Sequence, residues 1–529
     1  MLLGASRLVR NLRKTTIRGF AGSVTALLAV GGACAADLPV RAKAVEYVKV
    51  CSAYGVGFYF IPGTDTCIKL GGYIISDIAL NSNTVDVGNY SGQGGAKNRF
   101  SNAYTWRSRS DLTIDTRTAT EYGVARTYFE TVVSWVAGSY AGNGTGSTVY
   151  DGAASNNATA GAIAGGQLGV YYAFIQFAGF TMGKAVSQFS APWGNYPGNL
   201  FDGLVGAGGA MTGVNQFTYT ADFGQGITAS VSAQDQVQYN QAGVNNINTG
   251  APFGSSDYAG TISPDFISMV RVDQAWGVLQ ASVALHDNHA AYYGGAGIAN
   301  GGTELAGHPQ DKWGWAGQLV LAIKNIPTGP GDTIIASGVY TNGATRYNIQ
   351  DLGAMAGSAM VYGGTSLAGA YQSVGYGVAP DTVFGTLPDG TNSGQQLVST
   401  WGFSGAHIHN WNRYWSSIIY GGYAAVSYNG TAKTLICGVN GVGGSFRNAL
   451  RADLRNCNPD YNISQLGLTV AWTPVKDLTF AADLTYTMLD QKMVGTVNAA
   501  SLGIGKPSAT YELKDQSNLK LLLRAQRTF

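Results

Sequence analysis

The chain of 529 residues carries 12% charged side chains against 45% hydrophobic ones, with 75 glycines, 30 tyrosines and a formal net charge of +2. Charge this sparse and this balanced excludes a nucleic-acid surface built on excess base, and the hydrophobic share with its period-2 order excludes a disordered chain. Beyond the first residues there is no apolar run of about 18, which excludes a helical membrane protein; a β-barrel stays open, because half of each strand faces water and mean hydropathy stays near zero.

The amino-terminal stretch reads as an export signal. Arg7, Arg10, Arg13, Lys14 and Arg18 precede a short apolar run through Leu27, Leu28 and Val30, and Ala33-Cys34-Ala35 fits small-x-small cleavage. The expected division is a signal at 1–35 and a single transmembrane β-barrel domain at 36–529. Removing the signal takes five basic side chains and no acid from the 32 and 30, leaving 27 and 30, a net of −3. Four cysteines remain. Proximity pairs Cys51 with Cys67 and Cys437 with Cys457, a pattern suited to an oxidising compartment, although four cysteines allow three connectivities and the sequence alone does not choose.

Period-2 segments then recur along the chain, separated alternately by short polar turns and long Gly/Asn/Ser-rich connections. They predict strands near 68–80, 103–117, 121–134, 168–178, 179–185, 214–221, 226–236, 264–273, 276–287, 312–324, 332–342, 395–408, 413–428, 461–473, 478–489 and 517–529, with room for another hairpin in 343–394. Sixteen is an even number, as antiparallel closure with both ends on one side requires. In 106–117 the charges Arg107, Arg109, Asp111, Asp115 and Arg117 share one face, opposite Trp106, Leu112 and Ile114. Aromatic residues at strand ends, such as Trp472 and Phe480, match the belts that barrels place at membrane interfaces. In 518–529, Leu519, Leu521, Leu523, Ala525 and Phe529 share the apolar face, while Asn518, Lys520, Arg524, Gln526 and Thr528 share the polar one. Leu522 breaks the polar face and Arg527 the apolar one. Phe529 is expected to be the assembly signal, with this strand closing the barrel against 68–80.

No catalytic constellation emerges. His407 and His409 share one face of a strand, a spacing able to bind metal, but no carboxylate or thiol flanks them, so two polar residues near a barrel mouth or turn are expected. There is no Gly-x-Ser-x-Gly elbow, and the glycines of 206–213 lack the lysine and the strand–loop–helix context of a phosphate loop. With acids this rare, paired glycosidase carboxylates are not expected. The expectation is therefore no enzyme, no cofactor and no metal.

The stretch Val45–Tyr73, containing Cys51-Ser52-Ala53-Tyr54-Gly55-Val56-Gly57-Phe58-Tyr59-Phe60-Ile61-Pro62-Gly63, resembles the amino-terminal signature of the alphaproteobacterial general porins. Cys457-Asn458-Pro459-Asp460-Tyr461-Asn462 and Trp472-Thr473-Pro474-Val475-Lys476-Asp477 resemble that family's carboxy-terminal region, and the loops 236–263 and 343–394 are longer than usual for it. The resemblance implies a homotrimer of sixteen-stranded, water-filled barrels in the cell outer membrane. Lipid and the barrel-assembly machinery would be its partners, and small hydrophilic solutes and ions would pass without chemistry. It also implies that the third external loop, here 186–213, folds into the pore. That loop carries Asp202 as its only acid, facing a basic wall assigned to Arg107, Arg109, Arg126 and Arg271. A surface-exposed adhesin or structural outer-membrane protein is the alternative; it would show internal repeats, and none of fixed period is evident.

Overall fold

The computed structural model describes residues 49–81, 103–136, 167–206, 208, 213–236, 241–295, 302–349, 364–438, 442–499 and 508–529. The expected signal at 1–35 lies outside them. Sixteen strands form one antiparallel barrel: β1 (Cys67–Leu80), β2 (Tyr104–Thr120), β3 (Gly123–Val136), β4 (Gln167–Phe177), β5 (Phe180–Ala185), β6 (Val214–Asp222), β7 (Ile227–Gln234), β8 (Asp265–Gln274), β9 (Gly277–Asn288), β10 (Lys312–Lys324), β11 (Thr333–Asn342), β12 (Ser399–Asn410), β13 (Trp415–Ser427), β14 (Tyr461–Val475), β15 (Leu478–Gln491) and β16 (Gln516–Thr528). Each pairs with the next, and β16 returns to β1 with Thr528 opposite Tyr73 and Leu521 opposite Leu80. Closure leaves no strand edge unpaired, which a lipid environment demands of any sheet.

Short turns of two to eight residues join strands at one end, where β1 starts and β16 finishes, while long connections join them at the other. Pro474 lies inside β14, where the register shifts between Trp472 and Val475; the bulge accommodates a residue with no N–H to donate, and the turn is Lys476-Asp477. Asp477 takes φ +64°, a conformation Asp tolerates.

Outward positions are apolar and exposed, as with Val270, Val283, Leu319 and Leu466. Rings gather at both ends. Trp401 lies 5.2 Å from Tyr423 and Trp315 5.2 Å from Tyr340 near the long connections, while Trp415 stacks on Trp472 at 5.8 Å and Trp472 on Phe480 at 5.7 Å beside the short turns. Two such belts mark the levels at which a barrel meets the two membrane interfaces.

Among the described residues of 343–394, where the sequence leaves room for another hairpin, none joins the barrel. The short strands Gln372–Val374 and Thr382–Phe384 belong to two separate four-stranded sheets that also draw on 244–246, 255–256, 396–397, 453–456, 494–499 and 509–513. Phe253, Val374, Val383, Tyr428, Leu435, Phe446, Met493 and Tyr511, from four long connections, enclose one buried cluster. Cys437–Cys457 closes this cap with Cα atoms 5.8 Å apart, and Cys51–Cys67 closes the segment before β1 at 6.1 Å, the pairing that proximity favours.

His407 and His409 point outward, in register with Ile334 and with Ile419 and Ser417. A carboxylate does reach them, from a neighbouring turn rather than from sequence neighbours: His409 Nδ1 lies 2.6 Å from Asp332 Oδ2. Thr328 Oγ1 donates to Asp332 Oδ2 at 2.6 Å and the Asn410 N–H to Oδ1 at 2.9 Å. Among the described residues no group of three or more His, Cys, Asp or Glu is arranged to hold a metal ion.

Two predictions follow from this framework. Gly72 pairs its N–H and C=O with Phe529 at 3.2 and 3.0 Å, and a Cβ there would lie 2.2 Å from the Asp111 carbonyl oxygen. Gly72→Val is expected to cost about 1–3 kcal/mol, read as a lower temperature at which the compact, heat-modifiable electrophoretic form disappears. Burial of Asp332 works against its charge, but the bonds from Thr328, Asn410 and His409 together hold its carboxyl down at about 2. Its folded pKa lies below the ordinary value of about 3.9, so its stabilisation is complete above about pH 4 and is lost as pH falls towards 2. Asp332→Asn is expected to flatten acid destabilisation in that window, measured as loss of the folded form against pH.

Candidate pore and its charged constriction

Inward positions are polar, and the connection between β5 and β6 supplies many of their partners. Starting from β5, Ser187 Oγ donates to Gln234 Oε1 on β7 at 2.7 Å, and Gln280 Nε2 on β9 donates to the Ser190 carbonyl at 2.9 Å. Phe189 packs edge-on against Tyr347 at 4.5 Å. Further along, Thr469 on β14 donates to the Gly198 carbonyl, and the Leu200 N–H donates to Asp483 Oδ2 on β15 at 2.7 Å. Phe201 then packs on Leu522 of β16 and Ala79 of β1, all fully buried. Leu522, the apolar residue that interrupts the polar face of β16, is thus the seat of a loop ring.

At its far point the loop delivers Asp202, whose φ of +57° is the left-handed region that Asp visits more readily than most residues. The chain then turns back. The Val205 N–H donates to Gln465 Oε1 at 3.0 Å, Ser337 Oγ to the Gly206 carbonyl at 3.1 Å, and Gln318 Nε2 to the Gly208 carbonyl at 3.2 Å. Gly206, at φ +79°, has no room for a side chain, since a Cβ would sit 2.2 Å from the Phe403 carbonyl oxygen.

Asp202 Oδ2 lies 3.2 Å from Arg107 Nη1 and 3.7 Å from Arg109 Nη1. Arg107 is fully buried because Asp77 on β1 takes its other edge, with Nε 2.9 Å from Oδ2. Arg524 on β16 binds the same carboxylate, Nε to Oδ1 at 2.7 Å, and donates Nη2 to the Leu200 carbonyl at 3.1 Å. Two carboxylates are shared among three guanidiniums, so this ring is net positive by one. Arg109 also donates Nε to Ser134 Oγ at 3.0 Å and keeps part of its side chain exposed.

Two of the four predicted arginines do not meet Asp202. Arg126 lies nearer the short turns, paired to Asp115 at 2.9 Å and donating to Gln176 Oε1 at 2.9 Å. Arg271 pairs with Asp273 at 2.8 Å close to the turn between β8 and β9. Asp77 and Arg524 complete the cluster and lie outside the predicted set. A lone aspartate in Ile75-Ser76-Asp77-Ile78 was the available signal, since an acid among apolar strand residues needs a cationic partner.

A closed antiparallel barrel with outer aromatic belts and a polar lumen crossed by an inner loop defines an outer-membrane β-barrel of the porin class. The chain belongs to the Porin subfamily, whose family model matches residues 37–522. It is 30% identical over 266 residues to porin Omp2b of Brucella suis, covering 50% of this chain and 64% of that protein, and identical figures hold for porin Omp2b of Brucella abortus. The match thus spans less than two thirds of these relatives. Among solved structures, the outer membrane channel DcaP of Acinetobacter baumannii shares the fold at a TM-score of 0.50 and 15% identity, over 89% of this chain and 99% of that one.

Proposed function

We propose that the chain forms a water-filled channel for passive diffusion of small hydrophilic solutes and ions across the outer membrane, narrowed by the 186–213 loop. The observation that carries this reading is the ring in which Asp202, on the inner loop, faces Arg107 and Arg109 on the wall at 3.2 and 3.7 Å. Charges aimed at a water column select among ions by sign, and opposed charges orient dipolar solutes. The ring's net positive charge favours anions.

The same proposal includes a homotrimer. Ser76 and Ser108 stand directly opposite each other and exposed on the outer face of β1 and β2, with Ser110 exposed nearby. Lipid offers such hydroxyls no partner, whereas a neighbouring barrel does. Residues 1–35 are proposed to direct export. Phe529, whose backbone pairs with Gly72 while its ring stays exposed, is proposed as the residue by which assembly machinery grips the closing strand.

Reversal potentials in planar bilayers test the constriction. Asp202→Asn is expected to shift selectivity towards anions and Arg109→Gln towards cations. Both shifts should shrink as the Debye length falls from ~10 Å at 0.1 M salt to ~3 Å at 1 M. Stepwise openings in groups of three support the trimer; unchanged reversal potentials in both variants at low salt would move the constriction elsewhere.

A further inference from the structure

The inner faces of β1, β3 and β4, flanking the charged inner face of β2, carry aromatic rings that the water-filled lumen itself does not call for. Tyr128 and Phe174 stand directly opposite each other with ring centroids 5.3 Å apart and planes 23° from parallel, and Tyr172 lies 6.2 Å from Tyr128. The register between β3 and β4 slips here: Glu130 faces Tyr172 and Thr131 faces Val170, leaving Tyr171 as the extra residue. The bulge lets two consecutive tyrosines turn inward, Tyr172 by register and Tyr171 with its ring 6.0 Å from the Arg109 guanidinium. On β1, Tyr73 faces Asp111. All five rings stay partly exposed. That distinguishes them from Leu522, which Phe201 of the inner loop covers completely. These rings face the lumen and not the membrane, so lipid does not account for them.

Their surroundings are charged but balanced. Arg126 lies over both Tyr128 and Phe174, at 5.0 and 5.6 Å, and grips Asp115 with Nε and Nη2 at 2.9 and 3.0 Å. Arg117 Nη2 reaches the same carboxylate at 2.8 Å, and Tyr128 donates its hydroxyl to Glu130 at 2.7 Å. Apart from Arg109, which belongs to the ring around Asp202, the wall sets Arg117 and Arg126 against Asp115 and Glu130, with Asp111 beside Glu130, so neither sign of charge dominates it. It offers apolar ring faces bordered alternately by N–H donors and carboxylate acceptors. From Arg109 to Arg117 the wall runs about 27 Å at ~3.4 Å per residue.

Resting on the channel reading above, we propose that the inner face of β2–β4 is a binding track for neutral saccharides. The C–H face of a pyranose ring packs on the tyrosine and phenylalanine rings, and its hydroxyls bridge the guanidiniums and carboxylates alongside. The length of the wall accommodates several linked rings, so an oligosaccharide passes from one aromatic face to the next without leaving the wall.

The experiment is current block of the full-length channel in planar bilayers by linear α-1,4- and β-1,4-linked glucan hexasaccharides, each compared with a polyethylene glycol of equal hydrodynamic size. At least one saccharide is expected to block at a concentration tenfold or more below the polymer. Phe174→Ala or Tyr128→Ala should raise that concentration at least tenfold. Phe174→Tyr should retain the block, as should Trp401→Ala on the outer face. Should Phe174→Ala yield no folded channel, Phe174→Leu, which keeps apolar volume without the ring, decides in its place. Equal block by saccharide and polymer, or block unchanged when the rings are removed, overturns the inference while leaving the channel intact. Absence of any stepwise current in the unmodified protein overturns the channel reading, and this inference with it.

Discussion

Everything in this molecule depends on the pairing of β16 with β1. Until Thr528 lies opposite Tyr73 and Leu521 opposite Leu80, two edge strands expose unpaired N–H and C=O groups. In hydrocarbon each such group costs several kcal/mol. Closure fixes which residues face inward, because a slip of one residue would turn Lys520 and Arg524 towards lipid and Leu519 and Leu523 towards water. The arginine cluster is therefore a product of closure: Asp77 on β1 stands between Arg107 on β2 and Arg524 on β16, and binds both only when the two ends of the sheet meet.

A closed barrel of this size leaves a space that side chains alone do not fill. The inner loop fills part of it by offering backbone to the wall. Gln234, Gln280, Gln318, Gln465 and Ser337 each meet a carbonyl, an N–H or a hydroxyl of the loop, so the polar inner face replaces water where water is displaced. Where the loop turns a ring outward, the wall answers with an apolar residue, as Leu522 answers Phe201. The wall of β2–β4 shows the complementary case, with rings left partly exposed beside water.

The barrel was legible because strand alternation is local: each face can be assigned from neighbouring residues. The strands near 312–324 and 461–473, for example, needed no tertiary information. The meeting of Asp202 with Arg107 and Arg109 was legible through the family resemblance. Arg126 and Arg271 went elsewhere because facing inward sets a side chain's direction but not its height in the pore, and each had a nearer carboxylate. Asp77 and Arg524 are 447 residues apart in sequence, and only closure joins them. For the same reason a sequence reading finds no carboxylate beside His409, since Asp332 arrives from another strand's turn. The cap escaped entirely. Its buried residues have no fixed period and come from loops far apart in the chain.

The cap also separates two kinds of solvent within a single polypeptide. The barrel turns its large apolar residues outward to lipid; the cap turns Val383, Leu435 and Phe446 inward, as a water-soluble domain does. What the cell presents at this end is thus a folded surface assembled from four loops distant in sequence and pinned by Cys437–Cys457. An antibody or phage fibre that grips it reads a discontinuous epitope, one that a synthetic peptide copied from any single loop does not reproduce.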